Sequence, residues 1–164
     1  MAATSLEIRP VDWQKANESQ AVVEVLDSYA SHMLLGGVPL SATVRANLSA
    51  ELAKRPQSIV LLAWSEGQAV GLVIAFEGFS TFACRPLINI HDLAVLPKFQ
   101  CRGVGKALMA AVEAEAVRRG CCKLTLEVLE NNSHARKLYE AVGFASYQLD
   151  PATGRALFLE KKLG

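Results

Sequence analysis

The chain has 164 residues, of which 51% are hydrophobic and 20% charged, so it is long enough to bury a core and too apolar to stay disordered. Its formal net charge is +1 and it contains no block of like charges, which argues against a nucleic-acid footprint. The opening "MAATSLEIRPVDW" lacks a basic head followed by an apolar run, and no apolar stretch is long enough to span a bilayer, so a soluble, cytoplasmic protein without membrane contact is expected.

In chain order, Leu6 to Arg9 reads as a short strand stopped by Pro10. Apolar residues at helical spacing (Ala21, Val22, Val25, Leu26, Tyr29, Met33) predict a helix from about Gln14 to Leu35, ended by Gly36-Gly37. Ser41 is a natural N-cap for a second helix reaching about Arg55, where Pro56 breaks it. "SIVLLAWSEGQAVGLVIAFEGF" changes to two apolar strand runs joined by a Ser65-Glu66-Gly67-Gln68 turn. "PLINIHDLAVLP" is a further strand, closed by Pro97. After the loop "QCRGVGK" comes a helix from about Gly103 to Arg119, with Gly120 as its stop. "CKLTLEVL" predicts a strand, "NSHARKLYEAV" a helix closed by Gly143, and "FASYQL" and "RALFLEKKL" two last strands around a turn at 150–154. The order β, α, α, β, β, β, α, β, α, β, β predicts an α/β (α+β) fold: one mixed, largely antiparallel sheet of about seven strands with helices on both faces.

The four cysteines (84, 101, 121 and 122) form no C-x-x-C pair, so mostly buried reduced thiols are expected and no metal site. Cys101 is the exception, because it lies in the glycine loop. A strand feeding a glycine loop and then a helix N-terminus is a natural anion site, since unpaired N–H groups and the helix dipole converge there. A Walker loop needs Ser or Thr after Gly105-Lys106, but Ala107 follows. A dinucleotide fingerprint needs a third glycine where Leu108 stands.

Val95 to Gly105, "VLPKFQCRGVG", resembles the coenzyme A loop V-x-P-x-x-[QR]-x-x-G-x-[GA] of the GNAT superfamily of N-acetyltransferases. Asn132 to Phe144, "NSHARKLYEAVGF", is similar to that family's second signature, N-x-x-A-x-x-L-Y-x-x-x-G-F. The resemblance covers roughly residues 5 to 162. It implies a single N-acetyltransferase domain over 1–164 whose sheet splays between strands 4 and 5, with acetyl-coenzyme A as cosubstrate, no metal, and a primary amine of a small molecule as acceptor. It further implies that backbone groups along Leu93, Ala94 and Val95 pair with the pantetheine arm. The N–H groups of Gln100, Cys101, Arg102, Gly103, Val104, Gly105 and Lys106 would hold the pyrophosphate, Asn132 would bond the cofactor near the thioester, and Tyr139 would face the sulfur as the acid.

The general base stays open among three residues. Glu127 has the spacing to Asn132 and Tyr139 found in ribosomal-protein N-terminal acetyltransferases. His91 stands where arylalkylamine acetyltransferases carry a histidine, and Asp92 where diamine and polyamine acetyltransferases carry an acid. Strand alternation sends His91 and Asp92 to opposite faces unless the strand has a bulge. Glu77, Asp92 and Glu127 are the carboxylates available to a cationic acceptor. Two other readings are carried alongside: acetylation of a protein or peptide N-terminus, and a non-catalytic acetyl-coenzyme A sensor. The late strands offer an edge that could pair two copies into a homodimer.

Overall fold

The structure is a computed structural model, and it describes residues 5–31, 37–147 and 157–163. Its sheet has five strands in sequential order: β1 (Leu6–Pro10), β2 (Ser58–Ser65), β3 (Gln68–Ser80), β4 (Arg85–Val95) and β5 (Leu124–Leu126). The first three pairings are antiparallel and β4–β5 is parallel. The helices are α1 (Ala16–Ala30), α2 (Ala42–Ala53), α3 (Val104–Arg118) and α4 (Ser133–Ala141).

Local chemistry sets these boundaries. Ser41 caps α2 by accepting a hydrogen bond from the Val44 N–H at 3.2 Å, and Asn132 caps α4 by accepting from the Ala135 N–H at 3.1 Å. The β2–β3 hairpin turns on Glu66 and Gly67, both at positive φ, the geometry whose twist matches the flanking strands.

Alternation along β2, β3 and β4 sorts the core into two layers. Val60, Leu62, Leu72 and Ile74 face α1 and α2, meeting Val22, Val25, Leu26 and Leu52. Leu61, Ala63, Val73, Ala75, Ile88 and Ile90 face α3, meeting Val104, Leu108, Met109 and Val112. The strands therefore read as unbroken apolar runs because both faces are covered.

In the first turn of α1, Glu18 is 1% exposed yet charged. Burial alone would raise its pKa, but the Asp12 N–H (2.9 Å), the Arg9 guanidinium (2.7 Å) and Lys15 (3.4 Å) together hold it below the ordinary value. These contacts tie β1 to the start of α1.

Several expectations change. Five strands form among the described residues, not seven: 144–147 and 157–163 adopt no strand, while 148–156, with the expected turn, lie outside the described residues. Alternation in "FASYQL" and "RALFLEKKL" marks strand propensity, but a strand also needs a paired neighbour, and the described parts of these segments pair with none, the sheet ending at β5. The strand expected over "CKLTLEVL" shrinks to Leu124–Leu126. The first helix ends at Ala30, and 32–36 are outside the described residues. Cys84 is exposed and Cys121 and Cys122 are half-buried rather than buried, while Cys101, the expected exception, is exposed.

Candidate active site

The β4–β5 pairing covers only Ile88–Ile90 against Leu124–Leu126. Beyond Ile90, β4 continues to Val95 with β3 alone as its partner, so the sheet opens where the two parallel strands would have continued. A groove of about 490 Å³ occupies this opening. Leu93 and Val95 form its floor, Gln100, Cys101, Gly103, Gly105 and Lys106 one end, and Asn132, Ala135, Leu138 and Tyr139 one wall, with Ser28 and Tyr29 entering from α1.

The end at α3 is built for an anion. After a single 3₁₀ turn (Pro97–Phe99), the Gln100 side-chain amide donates to the Val95 carbonyl at 3.1 Å and ties the loop to β4. Cys101 adopts φ 59 and Gly103 φ 83. A side chain at 103 would meet nothing within 4 Å, so glycine is required there by the left-handed backbone alone. A Cβ at Gly105 would sit 3.0 Å from Leu138 Cδ2, so this glycine lets α3 approach α4 closely.

The first intrahelical bond of α3 runs from the Ala107 N–H to the Gly103 carbonyl, leaving the N–H groups of Val104, Gly105 and Lys106 without helical partners. Lys106 and Lys137 line the groove and form no ion pair among the described residues, and Arg102 lies 5.8 Å from the Phe99 ring centroid. Unpartnered N–H groups, a helix dipole and unpaired lysines together suit a pyrophosphate.

The other residues expected at the cofactor divide by face. Ala94 is 1% exposed and packs under α1, while Val104 is 4% exposed and packs into the α3 core, so only their backbone groups are available. Arg102 is exposed beside the loop without lining the groove. Asn132 uses its side-chain oxygen to cap α4, which leaves its amide N–H₂ for a ligand.

Tyr139 is half-buried in the wall of the groove. Burial, with a smaller contribution from the charge of Tyr29, pushes its phenol up to about 12. It packs 6.0 Å from Phe144, the residue closing the second motif.

The three base candidates fare differently. Glu127 falls after the end of β5, is exposed and does not line the groove, so the alternation argument for its direction does not apply. β4 carries a bulge: Ala75 pairs with Ile90 and Ile74 with Asp92, leaving His91 as the extra residue. The bulge resets alternation, so His91 and Asp92 lie on the same face, toward α1. The His91 ring packs edge-on to Phe76 at 4.9 Å. Asp92 is half-buried; burial raises its carboxyl, partly offset by His91. Neither residue lines the groove itself.

Glu77 lies toward the other end of the hairpin, opposite Ile88, and bonds Arg119 at 2.8 Å. This structural ion pair removes it from the acceptor candidates. Tyr29, by contrast, lines the groove although its sequence position suggested only a helix core residue. Burial and the Asp92 charge both raise its phenol. Its only signal in the sequence was a polar tip on an apolar helix face.

The family model for the Acetyltransferase (GNAT) family matches residues 25–144. The chain belongs to the GNAT acetyltransferase family. It is 31% identical over 88 residues to an uncharacterized N-acetyltransferase, YhfO, of Bacillus subtilis (strain 168), covering 54% of this chain and 59% of that protein. It is 28% identical over 104 residues to aminoglycoside N(6')-acetyltransferase type 1 of Salmonella typhimurium, covering 62% and 68%. It is 41% identical over 64 residues to the [ribosomal protein bS18]-alanine N-acetyltransferase of Haemophilus ducreyi, covering 37% and 44%.

The matched segment thus spans roughly half to two thirds of these curated relatives. Among solved structures, AAC(6')-Iy in complex with a bisubstrate analogue, CoA-S-monomethyl-acetylneamine, superposes with a TM-score of 0.74 at 22% identity, covering 98% of this chain and all of that one. This likeness of fold extends beyond the stretch matched by the family model. Among the described residues no helix is long and apolar enough to cross a membrane.

Proposed function

We propose that this GNAT protein transfers an acetyl group from acetyl-coenzyme A to a primary amine of a small molecule, by direct attack with both substrates bound. The observation that carries the reading is the continuous groove from the unpartnered N–H groups of α3, through the opening between β4 and β5, to Tyr139. Its charged end suits the pyrophosphate. Its floor of Leu93 and Val95 suits the pantetheine arm, with strand backbone unpaired on that side.

The acceptor amine must arrive deprotonated or lose a proton in the site, because an alkylammonium with a pKa of about 10 is no nucleophile. Its nitrogen then attacks the thioester carbonyl, the C–S bond breaks, and Tyr139 gives its proton to the departing thiolate. A phenol held near 12 is fully protonated at neutral pH and therefore available as that acid. Holding the two reactants together supplies most of the acceleration.

The longer match to the aminoglycoside acetyltransferase, over 62% of this chain against 37% for the ribosomal-protein enzyme, supports a small-molecule acceptor over a protein N-terminus. The relatives named above include both an aminoglycoside and a ribosomal-protein acetyltransferase. The test is free-thiol release from acetyl-coenzyme A with kanamycin, spermidine, tyramine and an alanyl peptide as acceptors. Turnover on one of the small amines supports the reading. Turnover on the peptide alone makes the protein an N-terminal acetyltransferase, and tight acetyl-coenzyme A binding with no turnover makes it a sensor.

A further inference from the structure

The groove sorts charge by sign. The chain carries 17 lysines and arginines against 16 aspartates and glutamates, yet no carboxylate stands among the described residues that line the groove, whereas Lys106, His134 and Lys137 all do. None of the three forms an ion pair among the described residues. A sequence with nearly balanced charge has therefore placed one sign alone along this opening.

Two of these cations flank a single helix contact. A Cβ at Gly105 would sit 3.0 Å from Leu138 Cδ2, so the first turn of α3 lies against α4 at Leu138. Lys106 follows Gly105 and Lys137 precedes Leu138, which brings both lysines to that contact. His134 stands three residues before Lys137 on α4, a spacing that puts the two on one helix face. The remaining cation of α4, Arg136, is engaged elsewhere: it pairs with Glu140 at 3.8 Å and donates to the Glu130 carbonyl at 3.3 Å. Near the glycine loop, Lys98 and Arg102 are exposed without lining the groove.

This is more positive charge than a pyrophosphate asks for. The open N–H groups of Val104, Gly105 and Lys106 and the α3 dipole already converge on that group, with Lys106 beside them. Acetyl-coenzyme A carries a further anion, the 3′-phosphate of its ribose, a monoester with about two negative charges at neutral pH. Resting on the transferase reading above, we infer that Lys137 and His134 form the subsite for this 3′-phosphate, with Lys106 shared between it and the pyrophosphate. The protein then selects coenzyme A thioesters over pantetheine thioesters that lack the group. The phosphate oxygens accept charge-assisted hydrogen bonds from the Lys137 ammonium and a further bond from a His134 ring N–H. A carboxylate in the same lining would repel the donor, which accounts for the missing sign.

The test compares two donors by calorimetry on the intact chain: acetyl-coenzyme A and 3′-dephospho-acetyl-coenzyme A, which differ in that phosphate alone. The wild type is expected to bind the first at least about tenfold more tightly, with the advantage shrinking as salt is raised. His134→Gln and Lys137→Gln combined, both at exposed positions, should weaken acetyl-coenzyme A by about tenfold and change the dephospho donor by less than about twofold. Arg136→Gln, on the same helix but paired with Glu140, should leave both affinities in place.

Equal affinity of the wild type for the two donors overturns the subsite. So does a double variant that weakens both donors alike, which would assign its two residues to the pyrophosphate. In either result the groove still holds the donor and the transferase reading stands. Binding of neither donor by the wild type overturns that reading and the subsite with it.

Discussion

Tyr29 and Tyr139 approach from helices on opposite faces of one sheet and meet in a single groove, because β4 and β5 pair over only three residues. An ordinary sheet would keep the two layers apart. The opening gives an extended acyl donor a passage from the N-terminus of α3 to a polar pair of phenols in an otherwise apolar setting.

The two loop glycines have separable roles. Gly103→Ala imposes a side chain on φ 83 and should cost about 1–2 kcal/mol, seen as a lower urea midpoint. Gly105→Val should act differently, since its Cβ meets Leu138 at 3.0 Å and forces α3 from α4. We expect at least a tenfold loss of acetyl-coenzyme A affinity by calorimetry. Unchanged affinity would mean the approach of the two helices does not shape the site.

Stability should fall with acid in a way that two carboxylates dominate. Glu18 is held below, and Glu115 down to about 2 by Arg118 and Arg119, against an ordinary value of 4.5. A depressed carboxyl contributes stability that is present above pH 4.5 and lost as pH falls toward the lowered value. Urea midpoints at pH 7 and pH 3 should therefore converge in Glu115→Gln relative to wild type. Glu18→Ala removes the buried acceptor of the Asp12 N–H and of Arg9, which stays 32% exposed beside Glu7, and should lose about 1–3 kcal/mol at pH 7. A wild-type midpoint independent of pH over this range would contradict both assignments.

Cys101 is exposed, at φ 59, within the lining of the groove's anion-binding end. Alkylation with iodoacetamide should lower acetyl-coenzyme A affinity, and saturating acetyl-coenzyme A should slow labelling at Cys101 but not at the exposed Cys84, read by peptide mass spectrometry. Equal rates at Cys101 with and without the ligand would place the loop away from it.

The contrast between what the sequence foretold and what it concealed follows from local rules. Ser41 and Asn132 announce their helices because capping is a local bond, and the glycine loop announces α3 because φ and close approach select glycine. Two apolar layers were readable from strands apolar on both sides. The His91 bulge was not, since one extra residue leaves no mark on composition, and with it went the common face of His91 and Asp92. The direction of Glu127 was not readable, because the strand it was taken from stops one residue earlier. Tyr29 was hidden for another reason: a phenol on an apolar helix face looks like core until the sheet beneath it opens.

The central claim is that the groove holds acetyl-coenzyme A with its thioester at Tyr139. Its most direct test is Tyr139→Phe, with acetyl-coenzyme A affinity measured by calorimetry beside kcat for the best acceptor amine. An unchanged dissociation constant with kcat reduced about a hundredfold or more is expected. An unchanged kcat in Tyr139→Phe would contradict it.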